Sequence, residues 1–283
     1  MAGPTAVRPR SGPRGALRGS IRYEMTMALR VRVLWLSMVP LTLLAALLAV
    51  VSPVVVGAAD AVERVGATVI VVNTFATVGL GVALADRLSR HTRPGLVDLL
   101  DTTPTSRTVR MAGTLLGSVA VGIAPLAAVV LLGGGTVAVL EGDPLALGAA
   151  VLAVLVVLVP ASLAVAACAS LLGLLLPAVA ARVLVVVMWF WATQLSPNLV
   201  PVPSPTGTLL SPLGGYPAVA WLGVPDIWAA RGRDGLLSPA ATGGSAAANA
   251  VLVVLTGMVF FLLSWLVVEI RARRGAPSSG ADG

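Results

Sequence analysis

Long apolar runs, separated by short segments that contain Arg, dominate the hydropathy pattern of this 283-residue chain. A helix needs about 20 mostly apolar residues to cross a bilayer. Six runs approach or exceed that length, and each predicts a membrane-spanning helix. The predicted spans are residues 33–57, 66–85, 111–132, 145–172, 183–199 and 249–268. The pattern therefore predicts an all-α, polytopic membrane protein with six transmembrane helices.

The segment before the first span, residues 14–32, has a modest amphipathic pattern. The residues that share its apolar face are Leu17, Ile21, Met25 and Ala28. Arg18 and Arg22 lie beside that face at a spacing of one helical turn. This arrangement favours a helix lying in the membrane interface. The alternative is a basic lead-in that only sets the topology.

The loop between the second and third spans predicts a short cytoplasmic helix outside the bilayer. Pro94 can open a helix, and Pro104 cannot continue one. One face carries Leu96, Leu99, Leu100 and Thr103, and the other carries Asp98, Asp101 and Thr102. Such a helix could transmit force from a soluble partner, or it could tuck its leucines under the bundle. The pattern leaves both possibilities open.

The segment 197–246, between the fifth and sixth spans, is apolar but broken by eight Pro and eight Gly. It also contains Tyr216, Trp221 and Trp228. We expect short helices that lie at, or dip into, the outer leaflet, with Trp at the headgroup level. A seventh span over 209–230 is the alternative. It would move the basic cluster at 271–274 to the outer side, which counts against it.

The charge distribution predicts which side of the membrane each loop occupies. Hydrophobic residues make up 57% of the chain, charged residues only 11%, and the mean hydropathy is +0.97. All 19 basic residues are Arg, and the six-span plan puts 16 on one side and 3 on the other. The positive-inside rule then makes both termini cytoplasmic. We expect residues 1–13 to be a disordered basic N-terminus. Residues 33–270 would form one transmembrane domain, and residues 271–283 would form a cytoplasmic tail.

The absence of some residue types excludes several functions. Without Lys the chain cannot form a Walker A phosphate site or a Lys Schiff base. With one Cys (Cys168) and one His (His91), it can form neither an intrachain disulfide nor a Cys/His zinc site, so we expect no metal. No aromatic residues interleave with the Arg clusters, which disfavours nucleic-acid binding. The Ala, Val, Gly, Pro and Arg bias suggests a GC-rich bacterial genome.

These features together resemble the membrane subunit of a type-2 ATP-binding-cassette (ABC) exporter. The resemblance rests on the basic helix at 14–32, the broken outer segment, the six-span plan and one loop motif. In this family the loop runs roughly Gly-x-x-acid-x-Leu-x-Ser/Thr-Ser/Thr-Pro-x-Ser-Arg. The matching residues are Gly95, Asp98, Leu100, Thr102, Thr103, Pro104, Ser106 and Arg107.

The resemblance implies roles for both cytoplasmic helices. The 14–32 helix would be the elbow helix, with Arg18, Ile21, Arg22 and Met25. The 94–107 stretch would be the coupling helix, docking on a separate ATPase subunit. Its contact residues would be Gly95, Leu96, Asp98, Leu99, Leu100, Asp101, Thr103, Pro104, Ser106 and Arg107. ATP and Mg²⁺ would bind that ATPase subunit, so this chain would have no catalytic residue and no cofactor of its own. A second permease subunit would complete the translocation pathway. The complex would lie in a bacterial plasma membrane.

The polar and aromatic residues inside the spans are candidates for the wall of a pathway. An amphiphilic substrate such as a drug, antibiotic, lipid or peptide requires a wall of mixed polarity. The candidates are Asn73, Phe75, Trp189, Phe190 and Gln194. No ionisable residue is predicted near a span centre, which weakens an ATP-independent carrier. A membrane enzyme is a further alternative, for which Asp98 and Asp101 are the close acidic pair.

Overall fold

The computed structural model describes residues 13–90, 105–195, 203–226 and 236–275, and the extended regular structure in these ranges is helical. We number the helices α1 (Pro13–Leu29), α2 (Arg32–Val51), α3 (Pro53–Val56), α4 (Ala61–Leu84), α5 (Arg87–Arg90), α6 (Arg107–Glu141), α7 (Leu145–Leu175), α8 (Ala178–Thr193), α9 (Gly215–Leu222) and α10 (Gly243–Gly275).

Within the described ranges, five helices are long and apolar enough to cross a membrane. They are α2, α4, α6, α7 and α10. The sixth predicted span, α8, is a helix of only 16 residues. At 1.5 Å per residue it is about 24 Å long, less than the hydrocarbon thickness of about 30 Å. The all-α prediction and the multi-pass membrane class are therefore confirmed, and five helices rather than six reach spanning length.

Several helix ends differ from the predicted bounds because of local capping and proline. The first predicted span breaks at Ser52, whose extended backbone precedes Pro53. α4 begins at Ala61 rather than 66, since the Asp60 carboxylate accepts the Glu63 N–H at 2.8 Å. α6 begins at Arg107 rather than 111, with Ser106 as its N-cap. Capping thus extends both helices beyond their most apolar stretches.

α4 forms the centre of the bundle. It packs against α2, α6, α7, α8 and α9, and 78% of its apolar window is buried, against 28% for α2 and 17% for α10. Glycines allow these close approaches. Gly79 of α4 faces Leu41 of α2, and Gly81 faces Val185 of α8. α4 is thus enclosed, while α2 and α10 present much of their apolar surface outward.

α7 contains one turn of π-helix, Val154–Leu158, in its middle. Pro160 follows this turn and has no N–H to donate to the Val156 carbonyl. The wider π turn accommodates that missing bond inside a continuous helix. It also presents Val157, which is fully buried, to the segment between α8 and α10.

Candidate functional site

Acidic and Arg side chains gather at the end of the bundle from which α6 starts, here called the Arg107 end. Arg107 pairs with Glu269 of α10 at 3.5 Å, and Arg182 of α8 pairs with Asp86 at 3.5 Å. At the opposite end, called the Arg64 end, Arg64 of α4 pairs with Glu141 of α6. The charges thus form two layers separated by an apolar bundle.

One ion pair at the Arg107 end is buried. Arg87 Nη2 donates to Glu24 Oε2 of α1 at 3.0 Å, and the two side chains are only 13% and 6% exposed. Thr114 Oγ1 of α6 donates to the other Glu24 oxygen at 3.2 Å. Burying an unpaired carboxylate is costly, so Glu24 is stable in this position only while Arg87 and Thr114 bind it. We call this group of three side chains the Glu24 joint. The joint ties α1, α5 and α6 together.

α1 packs along the first turns of α6 through two glycines. A Cβ on Gly113 would lie 2.6 Å from the Ser20 Cβ. A Cβ on Gly117 would lie 2.8 Å from both the Glu24 Cβ and the Ile21 carbonyl oxygen. The Gly113–Gly117 spacing is the small-residue pattern that lets helices approach closely. Here it serves packing within the chain.

The predicted elbow residues differ in their environments. α1 ends at Leu29, not at residue 32. Arg18 and Arg22 are exposed, Ile21 is half-buried, and Met25 is 37% exposed although its spacing placed it on the buried face. The face against α6 is instead centred on Glu24 and Ala28. Glu24 was missed by the sequence analysis; the signal was an acid in helical register with Leu17, Ile21 and Ala28.

Most of the predicted coupling helix lies outside the described residues. This applies to Gly95, Leu96, Asp98, Leu99, Leu100, Asp101, Thr103 and Pro104. The structure does place the last two predicted contact residues at the start of α6. The Ser106 hydroxyl accepts the Val109 N–H at 3.4 Å, and Arg107 makes the pair with Glu269.

Residues 203–226 of the outer segment enter the bundle and return. Asn73 of α4 donates to the carbonyls of Pro212 and Leu213 at 2.9 and 3.0 Å. Asn249 of α10 donates to the carbonyls of Leu209 and Ser211 at 2.9 and 3.0 Å. Non-helical backbone is tolerated at membrane depth only where its polar groups are satisfied. The two Asn side chains perform that task here.

The depth of the segment follows from its neighbours along α4. Asn73 is twelve residues beyond Ala61, which is about 18 Å along the helix. α9 then rises, and Val224 reaches Gly66, which is only about 8 Å along α4. At the turning point, Gly214 has φ 77° and lies against Val157 of the π turn. Residues 203–224 therefore enter the helix bundle from the Arg64 end and return to it, and we call them the re-entrant segment.

Beneath this segment lies an apolar cavity of about 110 Å³. α7 contributes Cys168, α8 contributes Trp189, the re-entrant segment contributes Leu210, and α10 contributes Thr256 and Phe260. The surface is almost entirely carbon. Three helices and the re-entrant segment enclose this cavity, and it is our candidate ligand site.

The five predicted pathway residues do not form one wall. Trp189 lines the cavity, and its indole N–H donates to the Thr74 carbonyl at 2.9 Å. Asn73 is buried and holds the re-entrant segment. Phe75 packs against the main core, and Phe190, 37% exposed, points outward. Gln194 follows α8 as its C-cap, and its buried Nε2 has no hydrogen-bond partner.

No protein-family model matches this chain, and no curated protein matches it. The fold itself defines the class: a multi-pass helical membrane protein with a re-entrant segment. Any narrower function is argued from the chain's own residues.

Proposed function

We propose that this chain is the permease subunit of a type-2 ABC exporter with six spans. α8 would be the fifth span, and the re-entrant segment would complete its passage to the outer surface. Contacts at both ends of α8 support this arrangement. Arg182, near its start, pairs with Asp86, while Trp191, near its end, donates to the Pro203 carbonyl at 2.9 Å.

The observation that carries the proposal is the bracing of both ends of the 91–104 loop. On one side Arg87 joins Glu24 and, through it, Thr114. On the other side Arg107 joins Glu269. A force that reaches Arg87 or Arg107 would therefore pass to α1, α6 and α10. Such bracing suits a helix that receives a push from a soluble subunit.

The length of α6 supports the same role. Its 35 residues span about 52 Å, roughly 20 Å more than the hydrocarbon core. Both faces of its Arg107 end are held, by α1 through Gly113 and Gly117 and by α10 through Glu269. The helix is thus suited to carry a displacement from the loop to the bundle interior.

The energy source in this proposal is a separate ATPase subunit that binds ATP and Mg²⁺. A second permease subunit would face this one across the pathway, and the substrate would be an amphiphile moved outward. Both termini would be cytoplasmic in a bacterial plasma membrane, consistent with the excess of Arg at the Arg107 end. No catalytic step is assigned to this chain.

The alternative is a carrier that works without ATP. Coupling to protons or sodium needs ionisable groups within the bilayer. In the described ranges, the Asp, Glu and Arg residues of the long apolar helices all lie near helix ends, in the two charged layers. This distribution favours the partner-driven reading. A role other than transport remains a further alternative.

The test is affinity purification of the tagged full-length chain from the membranes of its native host, followed by an ATPase assay and identification of any Walker-type subunit that co-purifies. We expect a stable complex that hydrolyses ATP, and we expect Asp98→Ala to abolish both complex formation and the permease-dependent ATPase rate. Asp226→Asn is the matched control, since Asp226 is an exposed acid at the Arg64 end. It should leave both unchanged.

Two results would contradict the proposal. One is an intact, fully active complex carrying Asp98→Ala. The other is solute flux through liposomes that contain this chain alone, driven by an ion gradient; this result would favour the carrier.

A further inference from the structure

The indole and hydroxyl donors that line the cavity between α7, α8, α10 and the re-entrant segment are already bonded within the protein. The indole N–H of Trp189 is bound to the Thr74 carbonyl, and that of Trp191 to the Pro203 carbonyl, each at 2.9 Å. The Thr256 hydroxyl donates to Leu252 of its own helix at 2.8 Å. Polar groups at the wall are thus already satisfied within the protein. An apolar cavity of this kind stays free of water.

The cavity opens sideways between α8 and α10. Met188 and Ala192 on α8, and Thr256 and Phe260 on α10, line it and are half-exposed. Directly before Met188 and Phe260 in the sequence, Val187 and Val259 are 56% and 54% exposed and belong to the outward apolar surface. The mouth is therefore continuous with the exposed apolar surface of α8 and α10.

The depth of this mouth places it at the level of lipid tails. Thr256 is thirteen residues beyond Gly243, about 20 Å along a helix that is about 50 Å long. Bilayer hydrocarbon is about 30 Å thick, so the middle of the helix lies far from the headgroups. Hydrocarbon is the one phase that meets the opening there.

We propose that this cavity binds the end of one acyl chain of a bilayer lipid, which enters between α8 and α10. The walls of carbon, the satisfied donors and the mouth at mid-bilayer depth all point to that occupant. Its size agrees, since an engineered apolar cavity of about 150 Å³ in another protein takes up benzene. The site does not depend on an ATPase partner or on any transported substrate.

Cys168 provides the test because it is the single thiol of the chain and lies in the cavity wall. The full-length protein is placed in nanodiscs of a phosphatidylcholine that carries a diazirine near the end of one acyl chain. After irradiation, mass spectrometry maps the adducts. We expect adducts on Cys168 as well as on outward residues such as Val187.

Two cavity-filling variants and two matched controls separate this site from general lipid contact. Ala192→Phe and Thr256→Phe fill the cavity from opposite walls and should each abolish the Cys168 adduct while leaving the outward adducts. Val187→Phe and Val259→Phe add the same ring to the outward faces of the same helices, and the Cys168 adduct should persist. Using both walls keeps the test valid where one variant fails to fold.

Three outcomes would overturn the proposal. Cys168 could remain unmodified while outward residues are labelled, as a second copy covering the mouth would cause. The adduct could survive in both filled variants. A charged, water-soluble maleimide could modify Cys168 in the intact nanodisc, which would show that water fills the cavity.

Discussion

At the scale of single residues, two amides set the shape of the outer half of the molecule. Asn73 and Asn249 stand on different helices, and each donates to two carbonyls of the re-entrant segment. The Thr77 hydroxyl donates to Asn73 Oδ1 at 2.7 Å and so orients the first amide. Four carbonyls that would otherwise face hydrocarbon are thereby satisfied.

We expect Asn73→Leu and Asn249→Leu each to lower the free energy of unfolding by about 1–3 kcal/mol, because each leaves two buried carbonyls unsatisfied. Thermal unfolding in detergent, followed by a dye that reacts with the buried Cys168 thiol, measures the change. Thr136→Val is the control, since its hydroxyl is exposed and bonds only to Leu132 of its own helix. Equal stability of all three variants would contradict the role of the amides.

At the scale of elements, α1 and α6 pack closely because two residues of α6 at the contact are glycines. Gly113 and Gly117 bring the backbones together, and this closeness lets Glu24 reach both Arg87 and Thr114. Other glycines of α6 have no such role. Gly133 and Gly135 face open space, where a Cβ would meet nothing within 4 Å.

Glycines on the same helix therefore predict opposite responses to substitution. Gly117→Val should destabilise the protein by about 1–3 kcal/mol, because its side chain would overlap Glu24 and Ile21. Gly135→Ala should be neutral or stabilising by up to about 1 kcal/mol, since Ala favours helix over Gly. Protease sensitivity of α1 and the same thiol-exposure assay report the two changes. A stable Gly117→Val protein with α1 still protected would argue against the packing described.

At the scale of the whole molecule, charge is sorted to the two ends of an apolar bundle. The Arg107 end holds the pairs made by Arg87, Arg107 and Arg182, and the Arg64 end holds the pair with Glu141. α1, the first described helix, and the last residues of α10 both lie at the Arg107 end. The proposed six-span arrangement requires this placement.

Orientation in the cell is tested with cysteines at the two ends, introduced in a Cys168→Ser background. Asp226→Cys should react with an impermeant maleimide on intact cells, because its end carries few Arg residues. Thr108→Cys, exposed at the start of α6, should react only after permeabilisation. The background protein without a cysteine is the control. Labelling of both sites from one side, or the reverse pattern, would contradict the topology.

The fold class and the approximate spans were predictable from the chain alone because hydropathy and helix length are local properties. Arg asymmetry likewise predicted an orientation, and Pro and Gly density predicted the broken segment after the fifth apolar run. The Gly113–Gly117 spacing is also visible in the sequence, but the spacing does not specify which helix packs against it.

Tertiary structure alone decided which side chains meet. Glu24 and Arg87 are 63 residues apart and Asn73 and Leu213 are 140 apart, so no periodicity could pair them. It also decided that the fifth apolar run, predicted as residues 183–199, contains a helix of only 16 residues, Ala178–Thr193. Cavities arise in the same way, from the gaps between packed helices, and a linear pattern of apolar residues carries no record of those gaps.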